Sequence, residues 1–182
     1  MKEKYKIAVF GLGSDKLTEQ NKVDAFEIGK LIALSENILL TGLAKGITEY
    51  ALKGNKSVNG ISIGINPYSE HDIEHNDIHI TKTDIIINTG LQDRGRNIIS
   101  VRTCDGMIVI NGNFGVLNEI TNGVGENKPI VVLKNSGGVA DIIEFVFAKL
   151  KPDYNNFQVC DSINECFNRL IELIELNKSI NS

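Results

Sequence analysis

Residues 106–119 read GMIVINGNFGVLNE, and the fold turns on how this stretch is understood. GMIVI is an apolar run of strand length that stops at Asn111. Gly112 and Gly115 follow within four residues, and then VLNEI takes on helical spacing with a carboxylate at Glu119. A chain that leaves a buried strand through a glycine turn straight into a helix forms a βα unit. The helix start offers unpaired N–H groups and the positive end of a dipole, which together attract an anion. Glu119 stands about one turn inside, where it can point back over the same place. The plainer alternative is an acid that only complements the helix dipole, worth ~0.3–1 kcal/mol.

The same order recurs in both directions. Strand-like runs are YKIAVFG (5–11), NILLTG (37–42), GISIGIN (60–66), DIIINTG (84–90), GMIVIN (106–111), PIVVLK (129–134) and FQVC (157–160). They are apolar nearly throughout rather than alternating, the pattern of strands covered on both faces of a parallel sheet. Helical patterns lie between them at 17–36, 47–54, 96–104, 115–125, 138–150 and 162–176. The first has Val23, Phe26, Ile28, Leu31, Ile32 and Leu34 at three- and four-residue steps. In the last, Ser162 is placed to cap the helix, with Glu165 as its capping-box partner. Alternation of this kind predicts a doubly wound α/β fold, Rossmann-like, with a mainly parallel sheet of about seven strands in a single domain over 1–182. The polar stretch 67–83 reads as a long loop or a split strand.

Composition narrows the function. The chain has 182 residues and a net charge of −4, without the basic footprint of a nucleic-acid binder. No apolar run approaches the ~20 residues that span a bilayer, and the N-terminus lacks the shape of a signal peptide. Cys104, Cys160 and Cys166 form no CxxC pair, so reduced thiols and a cytoplasmic location are expected.

Ligands of such sheets sit beyond the carboxyl ends of the strands, so the loops after each strand carry the chemistry. FGLGSD (10–15) opens like a dinucleotide loop, but Lys16 stands where the third glycine belongs. The second strand ends in Thr41-Gly42 with no acid to hold a ribose. The NAD-type fingerprint therefore fails on two counts. TGLAKGITEYALKG (41–54) sets glycines around another helix start and should lie beside the first loop. In TGLQDRGRN (89–97), Arg94 and Arg96 flank Gly95 at a helix start. Arginine is unfavourable to the dipole there, which points to service of a ligand or partner.

These residues resemble the Lonely Guy (LOG) family of the wider SLOG group of Rossmann-like nucleotide-binding proteins, formerly labelled lysine decarboxylases. The family hallmark is an arginine at a helix start, then a strand, then Pro-Gly-Gly-x-Gly-Thr-x-x-Glu. RNIISVRTCDGMIVINGNFGVLNE (96–119) matches its spacing, and the likeness runs over roughly residues 5 to 150. TGLAKGI is also similar to the nucleotide-fold domain of the DNA-processing protein DprA. The resemblance implies hydrolysis of the N-glycosidic bond of a nucleoside 5′-monophosphate, with no cofactor and no metal, by a homodimer. It implies Arg96 and Glu119 as the catalytic pair. Gly112, Asn113, Phe114, Gly115 and Val116 would lie at the phosphate, Asn97 beside them, and Gly11, Gly13, Ser14 and Gly42 along the other wall. Asn111 replaces the family proline, Asn113 the second glycine and Val116 the threonine whose hydroxyl would bind phosphate. The acting pair is kept while the cradle is altered, so a module that binds a nucleotide or its derivative without cleaving it stands beside the hydrolase.

His71, His75 and His79 recur at steps of four, which on a helix would align them for a metal. The residues between them are turn formers, and a solvated polar loop is the expectation.

Overall fold

The computed structural model describes residues 3–69 and 82–181. The chain runs through β1 (Lys6–Gly11), α1 (Glu19–Leu34), β2 (Ile38–Thr41), α2 (Ile47–Ser57), β3 (Ile61–Asn66) and β4 (Ile85–Asn88). It continues through α3 (Gln92–Thr103), β5 (Gly106–Ile110), α4 (Phe114–Gly125) and β6 (Ile130–Leu133). After a 3-10 turn at Gly138–Asp141 come α5 (Ile143–Leu150), β7 (Phe157–Cys160) and α6 (Ile163–Asn181). The strands form one sheet in the order β4-β3-β2-β1-β5-β6-β7. Every neighbouring pair is parallel. The doubly wound, Rossmann-like α/β fold read from the sequence is therefore the fold of the protein, as a single domain.

The apolar runs of the central strands have the cause assigned to them, whereas β4, at the sheet edge, leaves Ile85 and Ile87 exposed. All five residues of β5 are buried, because successive side chains feed two different cores. Ile7, Val9, Leu39, Ile108 and Ile110 pack under α1, α2 and α6. Ala8, Phe10, Leu40, Met107 and Val109 pack under α3, α4 and α5.

The structure corrects the reading of α1. Val23 and Leu34 are exposed, and the buried face carries Asn21, Ala25, Ile28, Gly29 and Ile32. The reason is a backbone contact with α2: a Cβ on Gly29 would stand 1.9 Å from the Ala51 carbonyl oxygen, and one on Gly54 would stand 1.8 Å from that of Phe26. Small residues therefore set the contact with α2, while Ile28 and Ile32, as read from the sequence, fill the core beside it. Helix bounds also differ, α1 being trimmed to Glu19–Leu34 and α2 running on to Ser57. α3 starts at Gln92, four residues early, so Arg96 sits in its second turn rather than at its start. The 138–150 segment splits at Ile142 into a 3-10 turn and α5, because Val139 N–H is drawn to the Gly112 carbonyl at 3.0 Å. α6 runs on to Asn181. Its start is capped as expected, with Ser162 Oγ accepting from Glu165 N–H at 3.3 Å, while the Glu165 carboxylate reaches Asp161 N–H at 2.9 Å.

From β1 the chain builds outward through β2, β3 and β4, then crosses back to place β5 on the other side of β1. The order reverses between β1 and β5. Gly11 is in register with Ile110, so the loops that follow these strands leave the sheet side by side. This is the crevice where doubly wound sheets hold ligands. No described helix is long and apolar enough to cross a membrane.

Candidate functional site

The turn after β5 is built from asparagines. Asn111 adopts φ 60° and Gly112 φ 130°. A proline, fixed near φ −65°, is impossible at 111, whereas asparagine tolerates the left-handed region. The Asn111 side chain then holds the turn: its Oδ1 accepts from Gly112 N–H at 2.6 Å and its Nδ2 donates to Asn21 Oδ1 at 3.1 Å. Asn113 is extended, at φ −126°, and caps α4 by accepting from Gly115 N–H at 2.9 Å. One of the amides that the sequence assigned to a phosphate is thus already taken by the protein's own side chain. Phe114 is 88% exposed, and Val116 is buried in the core, its side chain against Gly112.

Arg96 and Glu119 lie on the packed pair α3 and α4, and each is only 7% exposed. The neighbouring Asn97 and Asn118 join the two helices, Nδ2 to Oδ1 at 3.0 Å, and so fix the heights of Arg96 and Glu119 relative to each other. The Arg96 guanidinium reaches back to the end of β2 and occupies the space above Gly42, where a Cβ would stand 1.5 Å from Nη1. Only glycine leaves that seat open. Nε and Nη1 of Arg96 are buried with no hydrogen-bond partner among the described residues. A buried cation with unmatched donors is costly, at about 1–3 kcal/mol or more for each unsatisfied group. Glu119 makes no ion pair with it among the described residues. Burial pushes the Glu119 carboxyl up to about 8, against a downward pull from Arg96 and a smaller upward push from Asp93. At neutral pH the pair is therefore a cation beside a neutral acid, an arrangement suited to an oxyanion.

The other predicted residues are brought to the same crevice in varying degree. Gly11 ends β1, pressed between Ile110 and Ile47; Gly13 and Ser14 follow it, Gly13 exposed and Ser14 accepting from Lys16 N–H at 3.1 Å. The loops after β1 and β2 do touch, through Ile47 N–H to the Leu12 carbonyl at 3.2 Å. Arg94 is exposed and does not join Arg96. A pocket of about 240 Å³ beside the α4 start is lined by Gly112, Asn113, Phe114, Leu117, Val139 and Ile142. Leu117 lies about 200° around the helix from Glu119, so this apolar pocket is on the other flank from the charged pair. His71, His75 and His79 lie outside the described residues. Among the described residues no cluster of His, Cys, Asp or Glu is set to hold a metal.

Sequence reasoning missed the polar joint under the β5 turn. Asn21 Nδ2 donates to the Ser136 carbonyl at 2.9 Å, and Ser136 Oγ accepts from Asn111 N–H at 2.8 Å. The signal was present: Asn21 falls on the same helical stripe as Ala25, Ile28 and Ile32, a polar residue on a core face. Beside this joint opens a polar cleft of about 520 Å³, lined by Asn21, Asn111, Lys134, Ser136 and Asp161.

A parallel sheet whose strand order reverses between β1 and β5 defines a Rossmann-like protein. The chain belongs to the SLOG cluster4 family, whose model matches residues 4–167. It is similar to the molybdenum cofactor binding protein of the phototrophic bacterium Rippkaea orientalis, with 32% identity, all of both chains covered and a TM-score of 0.76. It is also similar to the molybdenum cofactor carrier protein of Chlamydomonas reinhardtii, with 26% identity, 95% of this chain and 99% of that one covered and a TM-score of 0.78. DNA processing protein A of Helicobacter pylori, whose structure describes single-stranded DNA binding, shares the fold at 17% identity, with 92% of this chain and 80% of that one covered and a TM-score of 0.69.

Proposed function

We propose that this protein binds and carries a phosphorylated heterocycle of the pterin or nucleotide class, with the molybdenum cofactor as the cargo that best suits the resemblance. The observation that carries the reading is the Arg96 guanidinium, buried above Gly42 just after β2, with Nε and Nη1 unmatched among the described residues. An oxyanion there would supply the missing acceptors. The likeness to a molybdenum cofactor binding protein over the whole of both chains supports the choice of cargo. The net charge of −4 favours a small anion steered by a local cation over a nucleic acid. The direct test mixes the purified protein with molybdenum cofactor released from a molybdoenzyme and follows the pterin by the fluorescence of its oxidised form. Retention near one per chain, lost in Arg96→Leu, is the expected result; no retention would remove the reading.

One observation favours hydrolysis of a nucleoside monophosphate as a second reading. A carboxyl that is protonated at neutral pH beside an arginine is the equipment of a general acid that protonates a departing base. Incubation with AMP, GMP, CMP and UMP, with chromatography of the released base, tests it. Release that Glu119→Gln abolishes would support the hydrolase. A homodimer suits either reading, since Phe114 and Ile142 leave an apolar patch open beside the pocket at the α4 start.

A further inference from the structure

We propose that Glu119 acts as a neutral hydrogen-bond donor to the anion held by Arg96, so that one proton is part of the binding site. This rests on the anion-binding reading of the crevice and adds to it the regulation of that site. Side by side and buried, Arg96 and Glu119 would satisfy each other as an ion pair, yet among the described residues none forms and two guanidinium nitrogens stay open. The Asn97–Asn118 bond ties α3 to α4 at the residues next to the two groups, and Arg96 acts on Glu119 through its charge alone. A neutral carboxyl keeps the whole charge of Arg96 for the ligand and offers an O–H to it. An ionised carboxylate would cancel that charge and repel the anion.

The charged groups acting on Glu119 are Arg96 and Asp93, both on α3. α4 also packs on β1 and on the 3-10 turn at Gly138–Asp141. β1 faces α4 with the apolar Ala8 and Phe10, and Asp141 on the turn accepts from Gly137 N–H at 3.0 Å. Neither element places a further charge on the carboxyl. Burial, the largest cause, keeps the proton on up to about pH 8.

The experiment is calorimetric titration of the protein with AMP between pH 7 and 9.5. A phosphate monoester has its second pKa near ~6, so the ligand is fully charged throughout and adds no slope of its own. Wild-type affinity should hold to about pH 8 and then fall about tenfold per pH unit, with about one proton taken up on binding at pH 9 when buffers of different ionisation heat are compared. Glu119→Gln, which cannot ionise, should lose the slope. Binding that is level to pH 9.5 with no proton uptake would overturn the proposal while leaving the arginine site standing. An alkaline slope that persists in a folded Glu119→Gln protein would overturn it as well. Failure of wild type to bind AMP at any pH would instead bring down this proposal, while the cofactor-retention test decides the proposed cargo separately. The proton count is read on wild type alone, so it decides even where the variant does not fold.

Discussion

Glu119→Gln should make the free protein more stable at alkaline pH. In the unfolded chain a glutamate ionises near 4.5, and in the folded protein burial holds the proton up to about 8. Below the first value both states carry the proton, and the native environment costs nothing through charge. Between the two, the unfolded chain has released its proton and the native state has not, so stability falls as pH rises. Above about 8 the native carboxyl is ionised too, and the loss is complete. At about 1.4 kcal/mol per pH unit the interval amounts to about 5 kcal/mol, an upper bound because water entry and relaxation soften it. Glutamine has the shape of the protonated acid and never ionises. Urea unfolding of both proteins from pH 5 to pH 9 is the assay. The variant should match wild type near pH 5 and exceed it by about 2–5 kcal/mol at pH 9. A gap that stays within about 0.5 kcal/mol across the range would refute the argument, because such a glutamate would be no more strained by ionisation than one in water.

Gly42→Ala should displace the Arg96 guanidinium, since the new Cβ would overlap Nη1; a cost of about 1–3 kcal/mol in urea unfolding and at least about tenfold weaker AMP binding are expected. Asn111→Ala should destabilise by about 1–3 kcal/mol, losing both the tolerance of φ 60° and the latch to Gly112 and Asn21, while Asn111→Gly should recover part of the loss. The three cysteines are buried, and burial pushes Cys104 up to about 12, Cys160 up to about 11 and Cys166 upward too. None should react with a disulfide reagent in the native protein at pH 8, and all three should react in guanidinium. Sedimentation should give about twice the chain mass of 20.0 kDa, and Phe114→Asp with Ile142→Asp should return it to the monomer.

The sheet was legible because a parallel strand buried on both faces has an apolar side chain at every position, as in GMIVI. The reversal between β1 and β5 leaves no mark in any one strand; the glycine loops pointed to it only indirectly. The helix faces were less legible, because α1 meets α2 through Gly29 and Gly54, and close backbone approach rewards small residues that a hydrophobic pattern passes over. Arg96 and Glu119 were singled out as a pair through the family resemblance, whose motif sets an arginine before β5 and a glutamate after it. Their protonation could not be read in this way, since it depends on burial that only the packing of α3 on α4 creates. Asn113 looked like a damaged glycine position and is a helix cap. Asn111 looked like a lost proline and is the latch of the turn, which shows that this loop is built differently rather than built poorly.

The central claim is that an anion completes the unmatched guanidinium of Arg96. The measurement that meets it head-on is a crystal structure of the protein soaked with AMP. The account predicts phosphate oxygens within hydrogen-bond distance of Arg96 Nε or Nη1, above Gly42 and beside the start of α4. Phosphate density in the polar cleft by Asn21 and Lys134 instead, with Arg96 still unmatched, would contradict it.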